Sequence, residues 1–136
     1  MVTFEVHGPF EITHEKRPGG NVLVFDDFWD EDSEAAYLAG ERGCYVFAMR
    51  AGGGLQPIYV GKAAKTSFRQ ETFNSGNKHK YHNGYSEYAK GTPLMFFVVR
   101  ATRKGQPSRY LIKEIEDFLI QAGVAKNPNL QNVVGT

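Results

Sequence analysis

Apolar and polar positions alternate most clearly between residues 44 and 50, "CYVFAMR", which sets Tyr45, Phe47 and Met49 on one face of a strand. The glycine run "AGGG" that follows reads as a hairpin turn. "PIYVG", residues 57–61, is then the returning antiparallel strand. Residues 94–102, "LMFFVVRAT", form a continuous apolar run and predict a central strand. After Ser108 the period lengthens. Leu111, Ile112, Ile115, Phe118, Leu119 and Ala122 make one helical stripe, with Gly123 as its stop. Ser67, with Gln70 three residues on, has the form of a capping box, so a helix carrying Arg69 is expected there. Residues 74–91 are polar and punctuated by glycine, and read as a loop with one helical turn at most. Upstream of residue 43, the pattern predicts one or two short strands broken at Gly8-Pro9 and a strand over 22–25. A short helix follows, capped by Asp30 or Asp32 and stopped by Gly40. The resulting β-β-α-β-α order has connections too short for a doubly wound parallel sheet. It predicts a small mixed α/β domain, with a three-stranded, largely antiparallel core sheet flanked by helices.

Composition adds a division along the chain. The 136 residues suit one core, with 41% apolar and 23% charged side chains. The net charge of +1 conceals ten acidic against three basic residues up to Arg42, then five against thirteen. Residues 1–42 therefore read as an acidic N-terminal extension, suited to docking a protein partner, and 43–136 as a basic body suited to a polyanion such as nucleic acid. No apolar run approaches the ~18 residues of a membrane span. The opening residues show neither a basic start nor an apolar signal segment, and Cys44 is the single cysteine. A cytoplasmic setting is the expectation.

The candidate chemistry gathers on the hairpin. Tyr45 and Tyr59 fall on its neighbouring strands. Tyrosines at such positions are usually packing residues. A phenol, ordinarily titrating near ~10, needs a neighbouring cation or a metal-bound water to act as a base at neutral pH. Lys62 follows just past the strand end, where it can lower that pKa or bind a phosphate. Arg69 can aim its fork at a phosphate. Either cation is also an ordinary surface charge. On the last helix Glu116 sits at the flank of the apolar stripe, where a carboxylate needs a partner: a divalent cation, or Lys113 three residues back.

These residues stand in an order that resembles the GIY-YIG endonuclease family. Gly43-Cys44-Tyr45 occupies the place of the first triplet and Tyr59-Val60-Gly61 that of the second. Lys62 follows directly, and Arg69 lies ten residues beyond Tyr59. "EIEDFLI", with Glu116, resembles the family's metal-binding helix, and "NPNLQN" its closing asparagine segment. The likeness spans residues 43 to about 132. Cys44 replaces the usual aliphatic residue, Val60 replaces isoleucine, and "AGGGLQ" lengthens the gap between the triplets. The resemblance implies a DNA endonuclease using one Mg²⁺ or Mn²⁺, with RNA as an alternative substrate. Its implied site is Tyr45, Tyr59, Lys62 and Arg69, with Glu116 on the metal. The position after the arginine is open among Phe73, Tyr81 and His82, with His82 preferred. The closing asparagine is open among Asn127, Asn129 and Asn132, with Asn132 preferred. A module on the same fold that binds nucleic acid without cutting it is the alternative.

Overall fold

A computed structural model describes residues 4–88, 90–100, 109–127 and 130–132. The fold is mixed α/β. Six strands run β1 (Phe4–Glu11), β2 (Thr13–Arg17), β3 (Gly20–Val24), β4 (Gly43–Ala51), β5 (Gly54–Ala63) and β6 (Thr92–Arg100). The helices are α1 (Phe68–Glu71), α2 (Ser75–Glu87) and α3 (Arg109–Lys126). None of the described helices is long and apolar enough to cross a membrane.

The main sheet has four strands rather than the expected three, in the order β1-β6-β4-β5, and every pairing is antiparallel. The additional strand is β1. Leading the acidic segment, it pairs with β6 from Phe4↔Arg100 to Glu11↔Leu94, with a register slip between His7 and Phe10. Pro9 has no N–H to give and sits inside that slip, on an edge strand where such a residue is tolerated. Phe10, Ile12, Leu23, Phe25, Phe28 and Leu38 join Tyr45, Phe47, Met49, Tyr81 and Phe97 in one buried cluster. The acidic charges of residues 1–42 thus alternate with side chains of the common core. β2 and β3 form a separate two-stranded sheet.

The apolar run from residue 94 does form an interior strand as far as Arg100, between β1 and β4, while residues 101 and 102 lie outside the described residues. The β4–β5 hairpin turns at Gly52 and Gly53, with φ of +60° and +88°, a backbone that only glycine adopts without strain. Tyr45, Phe47 and Met49 share one buried face, as alternation requires; Cys44 and Ala48 are buried on the other. Between Phe47 and Ala48 the register slips, so Ile58 of β5 is the extra residue of a bulge.

Two expectations fail locally and one holds only in part. The expected helix between Asp30 and Gly40 is a run of turns containing one 3-10 turn, Ala36–Leu38. The helix expected at Ser67 does form and carries Arg69, but it is only four residues long and the Ser67 side chain makes no capping hydrogen bond. Residues 74–91, read as a loop, contain the thirteen-residue α2. Asn74 caps it, its side chain accepting from the Asn77 backbone N–H at 2.9 Å. Its buried face is Asn77, Tyr81, Gly84 and Tyr85, a helical period written in polar, aromatic and glycine residues rather than aliphatic ones. Gly84 belongs to that face because a Cβ there would stand 2.3 Å from Ile58 Cγ2.

α3 also runs through Gly123 instead of stopping there. A Cβ at Gly123 would press on Leu130, so the glycine makes room for the returning tail. Of the expected stripe, Ile112 is buried, whereas Phe118 is exposed. Ser108 and the expected turn at 105–107 lie outside the described residues, as does Asn129.

Candidate active site

The two sequence triplets are one structural unit. Tyr45 pairs with Gly61 across the hairpin. A Cβ on Gly61 would fall 2.3 Å from Tyr45 Cε2 and Cζ, so the glycine of the second triplet clears the space that the tyrosine of the first fills. Tyr45 is buried, and its hydroxyl accepts from Asn77 Nδ2 at 2.7 Å. The same Asn77 amide donates to the carbonyls of Glu71 at 2.9 Å and Thr72 at 3.2 Å, which pins α2 to the end of α1.

Tyr59 lies beside Tyr45, ring centroids 6.5 Å apart, and is half-buried. Lys80 places its ammonium 4.6 Å from the Tyr59 ring centroid. Burial raises the pKa of Tyr59, and the Glu116 carboxylate raises it further. Burial pushes Tyr45 well above the ordinary phenol value, with Tyr59 adding to the rise and the Asn77 hydrogen bond opposing it. Both side chains are therefore neutral phenols at physiological pH, suited to donating and orienting hydrogen bonds.

Lys62 and Glu116, 54 positions apart in sequence, meet across β5 and α3 with Nζ 3.5 Å from Oε1. Lys113 reaches the same oxygen at 3.4 Å and binds Asp117 at 2.7 Å. The Glu116 side chain is only 13% exposed. A carboxylate at that depth needs paired charge, and Lys62 and Lys113 supply it. Among the described residues no three His, Cys, Asp or Glu side chains gather into a metal cage. The donor set fits a Mg²⁺-type ion held by one carboxylate and completed by water and substrate phosphate.

A cleft of about 230 Å³ opens beside Lys62, lined also by Ala64, Lys65, Glu71 and Arg109. Lys65 and Arg109 were not singled out from the sequence, since neither belongs to a spaced motif. Asn77 was missed because its helix was not recognised.

The remaining candidates are placed differently. Arg69 is exposed and donates to the Trp29 carbonyl at 3.2 Å. His82 Nδ1 lies 2.9 Å from the Lys78 carbonyl, and its ring meets Phe25 edge-on at 5.6 Å. None of these contacts joins Arg69 or His82 to Tyr45, Tyr59, Lys62 or Glu116. Of the alternatives to His82, Tyr81 is fully buried with its hydroxyl donating to the Thr72 carbonyl at 2.8 Å, and Phe73 packs on Phe25 and Phe28.

Asn132 closes the outer edge of β5. Its Oδ1 accepts from the Val60 N–H at 2.7 Å and its Nδ2 donates to the Val60 carbonyl at 2.6 Å. The Gln131 N–H reaches the Ile58 carbonyl at 2.6 Å, and Asn127 Nδ2 the Pro57 carbonyl at 2.7 Å. Asparagines recur in this segment because a side-chain amide carries the donor and acceptor of a missing strand.

Cys44 is buried beneath α3, its thiol donating to the Ile112 carbonyl at 3.4 Å. Burial, reinforced by Glu116 and opposed by Lys62, pushes its pKa up to about 12. Cys44 is expected to resist alkylation by iodoacetamide at pH 8 in the folded protein and to react readily in urea. Rapid modification without denaturant would contradict this placement.

Searches among family models, curated proteins and solved structures found no match to the chain.

Proposed function

We propose that the protein is a divalent-metal-dependent endonuclease that hydrolyses DNA phosphodiester bonds. The observation that carries this reading is the meeting of Lys62 with Glu116, beside Tyr59 and at the end of a hairpin whose two tyrosine–glycine triplets interlock. That convergence is what the GIY-YIG resemblance leads one to expect. In this reading a water oxygen attacks phosphorus and a P–O bond to a deoxyribose oxygen breaks. The products are a terminal phosphate and a free hydroxyl.

The Tyr59 hydroxyl orients the water, because its raised pKa favours a neutral donor over a phenolate base. Lys62, paired with Glu116, would contact the phosphate. Tyr45, clamped by Asn77, fixes the ring of Tyr59 from behind. Glu116 would hold the Mg²⁺ or Mn²⁺. A bound divalent ion supplies charge stabilisation at the phosphoryl oxygens. The resemblance would give Arg69 and His82 places around the phosphate, although neither touches the Tyr59, Lys62 and Glu116 group, and Asn132 holds the β5 edge. Lys65 and Arg109 extend the phosphate-facing charge of the cleft. RNA shares the same phosphodiester chemistry.

Tyr59→Phe is expected to lower the rate of DNA cleavage about a hundredfold, a loss typical of removing one donor aimed at developing charge. The half-buried ring is retained, so the thermal midpoint should barely move. Initial rates on a labelled duplex test this, and an unchanged rate counts against Tyr59.

A second reading, a nucleic-acid-binding module that does not cut, is favoured by the two ammonium groups on Glu116 and by the separate positions of Arg69 and His82. It predicts salt-sensitive DNA binding without products.

A further inference from the structure

The face of the main sheet that carries α3 is only partly covered, since α3 lies over β5 and β4. Val6 on β1 pairs with Val98 on β6, and Val98 pairs with Cys44 on β4, so these three side chains share the α3 face. Cys44 is buried against Ile112 of α3, whereas Val6 is 68% exposed. An apolar groove of about 260 Å³ runs along this side of α3. Val6, Val46, Phe96, Val98 and Leu119 line it, and Lys126 is its one charged lining residue among the described residues.

α3 turns a second feature to the same side. Glu114, Phe118, Ala122 and Lys126 stand four apart, one ridge of the helix, and all four are exposed. Phe118 is 60% exposed, a large aromatic ring open to water. Neither Glu114 nor Lys126 makes an ion pair among the described residues. Glu116 turns the other way, to Lys62 on β5. At 3.6 residues per turn, Phe118 stands roughly 160° around the helix from Glu116. The ridge and the groove therefore occupy one flank of α3, and the Lys62–Glu116 pair the other.

The ridge is complementary to itself in reverse. Set antiparallel to a second copy about a two-fold axis at Ile120, it brings Glu114 to the other copy's Lys126 and Phe118 to the other copy's Ala122. The two-fold makes each contact twice. Ala122 is small and lets the ring pass into the groove beside it. The charged ends lie roughly 18 Å apart at about 1.5 Å per residue, so two ion pairs fix the register while two aromatic rings supply the burial. A partner of unrelated sequence would have to bring the same four groups in reverse order.

We propose that this face joins two copies of the chain in a symmetric dimer, the Phe118 ring of each entering the apolar groove of the other. The inference does not rest on the endonuclease reading. Both Lys62–Glu116 sites stay open in the dimer, because they lie on the far flank of α3.

Sedimentation velocity of the full chain, from micromolar to millimolar concentration, tests this. The wild type is expected to pass reversibly from one chain to two. Phe118→Ala should weaken association about thirtyfold or more, with the thermal midpoint of the dilute monomer unchanged because the ring is exposed. Glu114→Lys and Lys126→Glu should each be monomeric, since each sets like charges against one another at both ends of the interface. An equimolar mixture of those two variants should recover a dimer, because each chain then meets its opposite charge in the other. A wild-type chain that is monomeric at every concentration overturns the proposal, and so does a dimer indifferent to Phe118→Ala. Single charge variants that stay dimeric, or a mixture that fails to associate, overturn the antiparallel pairing. None of these readouts involves cleavage, so a protein that cuts nothing leaves them intact.

Discussion

Glu116→Gln is expected to reduce Mg²⁺-dependent DNA cleavage by about a hundredfold or more, with the fold preserved. Glutamine keeps the shape of the side chain and removes the charge that a divalent ion needs. The two lysines left behind are 39% and 53% exposed and turn to solvent, so the stability change should stay within about 1 kcal/mol. Rates across a Mg²⁺ titration, paired with urea unfolding of the same samples, separate the two quantities. A variant that cuts normally removes Glu116 from the chemistry. A variant that unfolds assigns it a structural role instead.

The second large effect concerns Gly43, the first residue of the first triplet. Its φ is +155°, and a Cβ there would fall 2.1 Å from the Val98 carbonyl oxygen on β6. That oxygen is backbone and cannot swing aside, unlike the side chain facing Gly61. Gly43→Ala therefore carries both backbone strain and a clash with a neighbouring strand. Destabilisation on the order of 3 kcal/mol is expected, which lowers the thermal midpoint by roughly 10 °C. Calorimetry of the variant tests this, and a midpoint within about 2 °C of wild type would show that β4 and β6 do not approach as described. The glycines of both triplets thus serve packing, Gly43 against β6 and Gly61 against Tyr45.

The strands of the hairpin and the interior strand β6 were legible because their signals are local: period-two burial, a glycine turn, and an apolar run buried on both faces. β1 was harder to place, since its partner lies some ninety residues away and its middle is interrupted by Gly8-Pro9. α2 was hidden because its buried face is Asn77, Tyr81, Gly84 and Tyr85, which a search for aliphatic periodicity passes over. The spacing of Asn77, Tyr81, Tyr85 and Tyr88 was the available signal. The Asp30–Gly40 segment shows the reverse error, since caps and a stop do not make a helix where Phe28, Ala35 and Leu38 are drawn into the core through turns.

For the candidate site, the resemblance brought out Tyr45, Tyr59, Lys62, Arg69, His82, Glu116 and Asn132. It could not foresee that Asn132 spends both ends of its amide on Val60, or that Arg69 turns to Trp29. Those outcomes depend on what folds against each residue. Lys65, Asn77 and Arg109 belong to no motif and become candidates only once α1, α2 and α3 converge on the hairpin.

The most direct test of the central claim is nicking of supercoiled plasmid by the wild-type protein, with Mg²⁺ or Mn²⁺ and with the ion chelated. The account predicts nicked and linear products that require the divalent ion and grow with time. Intact plasmid at every ion concentration, from protein shown to be folded and to bind the same DNA, would contradict it and leave the non-cutting module as the better description.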